Sequence, residues 1–542
     1  MTRFTTGDAI VESLIAHGVD TIFGIPGVHT YDLVDAIARR SSDIRFIGTR
    51  HEQGAGYMAY GYARTTGRVG VYTVVPGPGM LNSSAALSTA LGGNTPVLCL
   101  TGNIMRDFIG KGRGQLHELP DQLATLRSIT KWAERIDQPS EAAGVVDTAF
   151  AQMLAGRRGP AAIEVPWDVF GLEDDIEIVN DTTLPVAPAV DADAIREAAA
   201  LLGEASCPMI MVGAGAMHAS AEVQALAEFL QAPVTAHRSG KGVVSNDHPL
   251  SVSSYAAYQM FAEVDVVVGI GSRLELPHMR WQYQPDGQRT IRIDIDPDEM
   301  GRLPVDVAVV ADASDGTAAL LDALRRDGQA RPSKTDEVET VSRDARSAYE
   351  VVQPQLGYLD VIREVLPDDG FLVEEICQAG FTARFGYPVY QPYTYVTGGY
   401  QENLGFGFGT ALGVKVAHPD RPVVSINGDG GFMFGAQELA TAAHHNIGVV
   451  AVVFDNGAYG NVKRDQASRF DGRLLGSEFT NPDFVALGEA YGVRSAGVSS
   501  PVEFRDALVS AVAEDGPALI RVELEPGEES SPWPFTRPGV QR

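Results

Sequence analysis

The chain reads as an α/β protein of three consecutive Rossmann-like domains, each a parallel sheet covered by helices. Short apolar runs alternate with amphipathic stretches along most of its 542 residues, the rhythm of strands joined by crossover helices. Glycine turns close several of those runs, as in "DTIFGIPG" and "VVGIGSRLE". The length exceeds what one core supports and suits about three domains.

The elements follow in order. Ile10, Val11, Leu14 and Ile15 share one face of a first helix, which Gly18 stops. The strand "DIRFI" leads to Glu52, which opens a helix rich in small residues, Gly54, Ala55, Gly56, Ala59 and Gly61, suited to close packing. Ile178–Ala194 is rich in Pro and Asp and reads as a linker. Arg325–Ser347 is charged, nearly free of large apolar side chains, and reads as a second linker. The expected division is 1–180, 190–325 and 350–542.

Composition excludes several classes. With 42 basic against 70 acidic side chains, a net charge of −28, the chain lacks the basic footprint that nucleic acid requires. No apolar run approaches the roughly 20 residues that span a bilayer. The N-terminus carries no signal-peptide block. Cys99, Cys207 and Cys377 are far apart and form no disulfide framework. A cytoplasmic location is expected.

Chemistry is concentrated in "SINGDGGFMFGAQELATAAHHNIGVVAVVFDN", Ser425–Asn456. Two strand-like runs, Pro422–Asn427 and Val449–Phe454, flank a glycine turn and a helical stretch. Ligands of such units bind beyond the carboxyl ends of the strands. Gly428, Gly430 and Gly431 permit close backbone approach, and the helix start offers N–H groups to an anion. Asp429 and Asn456 follow successive strands, so their oxygens can converge. A few hard oxygen ligands beside a phosphate site is how Mg²⁺ is held. A diphosphate clipped by Mg²⁺ is the local expectation.

These residues resemble the signature of thiamine-diphosphate-dependent enzymes, a GDG followed at this spacing by an Asn pair. The first of the pair is Asp455 here. The resemblance makes Asp429, Asn456 and the Ala458 carbonyl the metal ligands. It also requires a distant carboxylic acid that shares a proton with the cofactor's pyrimidine. "GTRHEQGAGYMAYGYARTTG" resembles the family's catalytic-Glu segment and assigns that part to Glu52. Leu404 falls where a bulky apolar residue props the cofactor in its bent shape, and Gln378 falls near the diphosphate. "VVPGPGMLN", "IRIDIDPDEMG" and "GGYQENLGFGFGTALG" extend the likeness over the pyrimidine-binding, central and diphosphate-binding domains of the decarboxylase and acetolactate-synthase branch. Family geometry implies a homo-oligomer, a dimer at least and a tetramer by analogy, with sites shared between subunits.

The resemblance implies a carboligase or lyase acting on small carbonyl compounds: 2-hydroxy ketones, aldehydes or 2-oxo acids. His29 in "GIPGVHTYD" and His117 in "GQLHELPDQ" occupy the family's active-site positions. The His29 position resembles benzaldehyde lyase, which carries a Gln where His117 stands, and proton transfer is the implied role of both histidines. Acetolactate synthases carry a Trp near Asp465. An acetolactate synthase or simple 2-oxo-acid decarboxylase is the alternative, and a non-catalytic paralogue a remoter one. FAD in the central domain rests only on the "MVGAGAM" and "VVGIGSRLE" turns, weak patterns on their own. The tail Gly527–Arg542 and Glu118 are candidates to shape the pocket. His444 and His445 read as helix-end residues.

Overall fold

In the computed structural model, residues 2–179, 187–327, 331–525 and 527–539 are described. Three six-stranded sheets follow one another along the chain. Buried runs such as Pro208–Val212, Val266–Ile270 and Val449–Asp455 supply their central strands, as expected where helices cover both faces. All pairings within these sheets are parallel. Thr2–Thr5 and Glu173–Ile176 form a separate antiparallel pair beside the first sheet.

The first sheet runs Arg45–Gly48, Thr21–Gly24, Gly70–Val74, Val97–Asn103, Ala161–Pro166, Trp132–Arg135. The third runs Tyr395–Thr397, Phe371–Glu374, Val423–Gly428, Val449–Asp455, Ala518–Glu523, Arg494–Val498. Numbered within each sheet, both have the order 2-1-3-4-6-5. The central sheet instead follows 3-2-1-4-5-6, the order of dinucleotide-binding folds. In the third sheet the winding reverses between Phe371–Glu374 and Val423–Gly428, and a crevice opens at such switch points.

One apolar cluster passes from the first domain into the third through Tyr57, Tyr60, Phe406 and Phe408. Its seam is the contact of helix Glu52–Thr66 with helix Phe406–Ala417. A Cβ on Gly61 would overlap the Thr410 carbonyl, and one on Gly413 the Met58 carbonyl. The small residues are therefore required by helix-to-helix approach. Glu438 fixes the start of the first helix by accepting the N–H groups of Arg50 at 3.2 Å and His51 at 2.9 Å.

The second expected linker is largely helical. Thr335–Tyr349 forms a helix whose Val338, Ala345 and Tyr349 join the central core. Charge on its outer face hid an apolar stripe at helical spacing. In the first expected linker, residues 180–186 lie outside the described residues, and Asp191 caps the helix Ala192–Glu204 that follows. Among the described residues no helix is long and apolar enough to cross a membrane.

Candidate active site

Strands Val423–Gly428 and Val449–Asp455 pair with Gly428 opposite Phe454. Asp429 and Asn456 therefore meet just beyond the carboxyl ends. Asp429 begins a single helical turn and is 2% exposed. Its Oδ1 accepts the Gly430 N–H at 2.7 Å. Its Oδ2 accepts from Asn456 N at 3.1 Å, Gly457 N at 2.7 Å and Asn481 Nδ2 at 2.8 Å. Burial raises the Asp429 carboxyl above its ordinary value, and these bonds oppose the shift.

Asn456 Oδ1 accepts the Ala458 N–H at 3.0 Å, which folds the "NGA" turn over Asp429. Ala458 is buried and bridges Glu478. A Cβ on Gly430 would overlap the Tyr459 ring, and one on Gly431 the Glu375 carboxyl. Gln378 opens helix Gln378–Gly386 and accepts from Arg464 Nη1 at 3.1 Å. Arg464 also donates to the Glu529 carbonyl at 3.3 Å, and the Glu529 carboxyl accepts from Asn456 Nδ2. Glu529 is pushed up to about 7, mainly by burial.

Leu404 is half-buried immediately before Gly405, the cap of helix Phe406–Ala417. Its Cδ2 lies 3.4 Å from where a Gly431 Cβ would stand. Glu375, 1% exposed, accepts the N–H groups of Gly405 at 2.7 Å and Gly407 at 3.1 Å. Burial pushes its carboxyl up to about 7. The third sheet thus brings Gln378, Leu404, Gly428, Asp429, Gly430, Gly431, Asn456 and Ala458 to one edge.

Glu375, Asn481 and Arg521 are residues that sequence reasoning missed, and Glu529 lies in the tail Gly527–Arg542 that it singled out only as a whole. Only Arg521 left a signal, a lone cation in the apolar strand "ALIRVE", where a buried carboxylate is the expected partner.

Glu52 stands elsewhere. Its Oε2 accepts from Asn82 at 3.0 Å, and among the described residues it shares no hydrogen bond with the Asp429 group. On its helix, Gly54, Met58 and Gly61 face the same chain's third domain. Glu52, two residues before Gly54, lies about 200° away around the axis, on the side of helix Pro78–Gly92.

His29 and His117 come together, with ring centroids 4.9 Å apart and Trp167 5.3 Å from His29. His29 is 1% exposed and its Nε2 lies 3.1 Å from the Leu116 carbonyl. The buried Nδ1 atoms of both rings have no hydrogen-bond partner. Burial first, then His117, lowers the His29 pKa. Glu118 faces its own loop, accepting the Gln115 N–H at 2.8 Å. His444 and His445 end helix Leu439–His445.

Three domain families match in this order: the N-terminal binding domain of thiamine pyrophosphate enzymes over residues 4–125, their central domain over 195–324, and their C-terminal binding domain over 376–522. The chain is 33% identical to a probable 2-ketoarginine decarboxylase, AruI, of Pseudomonas aeruginosa, over 96% of this chain and 94% of that one. The chain belongs to the thiamine-diphosphate-dependent enzymes. It is also 33% identical to a probable acetolactate synthase large subunit of Methanocaldococcus jannaschii, covering 98% and 93% of the two chains. A sulfoacetaldehyde acetyltransferase of Rhodobacter capsulatus is 32% identical, with 99% and 98% covered.

As a thiamine-diphosphate enzyme, the chain makes or breaks carbon–carbon bonds next to a carbonyl. The glycine turns of the central domain pack directly against each other. Gly215 donates to the Gly271 carbonyl at 3.1 Å, and a Cβ on Gly213 or Gly271 would overlap the facing turn.

Proposed function

We propose a Mg²⁺-dependent thiamine-diphosphate enzyme that decarboxylates a 2-oxo acid or ligates small carbonyl compounds, with each site shared between two subunits. The observation that carries the site is the convergence of Asp429, Asn456 and Ala458 at two adjacent strand ends. Their donors are a carboxylate, an amide oxygen and a backbone carbonyl, the hard set that Mg²⁺ takes alongside phosphate oxygens. The turn Gly428–Gly431, glycine at every position but Asp429 and with Gln378 beside it, fits a diphosphate approaching the backbone.

Bound thiamine diphosphate supplies the nucleophilic carbon that adds to a carbonyl. In our reading Glu52 would hold a proton at the pyrimidine ring nitrogen N1′, and Leu404 would pack against the cofactor. His29 and His117 exchange the proton of the substrate hydroxyl, their partnerless Nδ1 atoms being free for it. The face of Glu52 opposite its own third domain supports a dimer as the smallest active unit. The relatives include a probable 2-ketoarginine decarboxylase and a probable acetolactate synthase, so a guanidinium-bearing 2-oxo acid and pyruvate are the substrates to try first.

The test is a product assay with the cofactor and Mg²⁺ on pyruvate, a 2-oxo acid bearing a guanidinium, and benzoin, with Glu52→Gln as control. Carbon dioxide from either oxo acid, absent in the control, supports the reading. Benzaldehyde from benzoin alone moves it to a lyase. Turnover undiminished in Glu52→Gln rejects the assignment of Glu52.

A further inference from the structure

A cavity of about 260 Å³ lies between the central and third domains, away from the groups assigned above. Thr235, Lys241, Ser253, Ser342, Arg346 and Tyr387 are among its lining residues. Its polar side chains are poorly satisfied. The hydroxyls of Thr235, Ser342 and Tyr387 are buried without a hydrogen-bond partner, and Thr235 is 1% exposed.

Lys241 is 8% exposed. Its Nζ donates to the Arg384 carbonyl at 3.2 Å and lies 5.6 Å from the Tyr395 ring centroid. An ammonium has three donors, so the group is under-used. The neighbouring charges are already matched. Glu374 is held by Arg384 at 2.6 Å, and Arg346 by Asp360 at 2.6 Å. Among the described residues no carboxylate lies within ion-pair range of Lys241, and Glu374, which acts on it from farther away, is already paired with Arg384.

We propose that this cavity binds a small oxyanion, either inorganic phosphate or the carboxylate of a small organic acid, between the Lys241 ammonium and the hydroxyls of Thr235 and Ser342. The lining offers donors and one positive charge with no ion-pair partner. An oxyanion brings acceptors and the opposite charge, whereas a cation brings neither and an apolar ligand leaves the hydroxyls unpaired. Burial holds the Lys241 ammonium down to about 8, a shift that a bound anion reverses. Because both domains line the cavity, an occupant braces one against the other.

The experiment is isothermal titration of the full chain, loaded with thiamine diphosphate and Mg²⁺, with inorganic phosphate and separately with acetate at constant ionic strength. A saturable heat is expected from at least one, and which one names the source. Affinity falls about tenfold or more in Lys241→Met and about tenfold in Ser342→Ala. Lys241→Met removes a buried charge and so tends to preserve the fold. Should it not fold, Ser342→Ala with Thr235→Val decides. No saturable heat from either anion, or unchanged affinity in the variants, overturns the proposal and leaves a water-filled cavity.

Discussion

Arg521 donates from Nε to Asp455 Oδ2 at 2.6 Å, so the position where the family signature has its first Asn carries a matched ion pair. Asp455 is 8% exposed, and its other oxygen accepts from Asn481 at 2.7 Å. Asn481 also donates to Asp429. One amide thus spans the two acids, and Arg521 neutralises the one that faces away.

Arg521→Met should be the damaging change at this pair. It strands a buried carboxylate, costing about 1–3 kcal/mol. Asp455→Asn restores the family residue, and Arg521→Met combined with Asp455→Asn should recover most of the loss. Urea denaturation of the double-mutant cycle measures the coupling. Additive single effects would show that the pair contributes nothing.

Glu375 makes stability pH-dependent. Its folded pKa of about 7 stands above the ordinary 4.5, so between those values the folded chain binds more protons than the unfolded one. Its contribution is full below 4.5 and is lost as pH rises through about 7. The denaturation midpoint should fall from acid to neutral pH, and Glu375→Gln should flatten that fall. Part of it persists through Glu529, also raised to about 7. Identical pH profiles for wild type and variant would remove Glu375 from the account.

Glu52→Gln and Asp429→Asn should each abolish turnover, the first leaving the cofactor bound. Mixed after co-refolding, the two inactive chains should regain roughly a quarter of wild-type activity. Half of random dimers are mixed, and in each one of two shared sites is intact. No recovery in verified mixed dimers would mean that each site is built from one chain.

His29→Ala should lower kcat about a hundredfold, the usual scale for a lost acid–base group. Burial first and then His117 lower the His29 pKa, which favours its neutral ring. His117→Ala removes the second cause, so the acid limb of the kcat profile should move to higher pH. An unmoved limb separates His117 from the proton path.

Much of this architecture is legible in sequence because period and glycine placement report strands and close approaches directly. Asp429 and Asn456 follow strands that anyone can mark, and Glu52 opens a helix whose small residues show that another helix must come near. Glu529 lay beyond such reading. It reaches Asn456 from a Pro- and Ser-rich tail with no period to place it. In the same tail, Trp533 packs on Phe381 and Phe535 on Tyr255. Helix Thr335–Tyr349 was misread because composition outweighed spacing. Val338, Val341, Ala345 and Tyr349 form an apolar stripe that a count of charges conceals.

The identical strand order of the first and third sheets is the pattern that duplication of an ancestral unit leaves behind. On that view the first and third domains are one frame used twice. The frames are alike, and what differs is the residues at the strand ends, Glu52 in the first domain and the Asp429–Asn456 pair in the third. Novel substrates can then be reached by editing loop tips, with neither sheet disturbed.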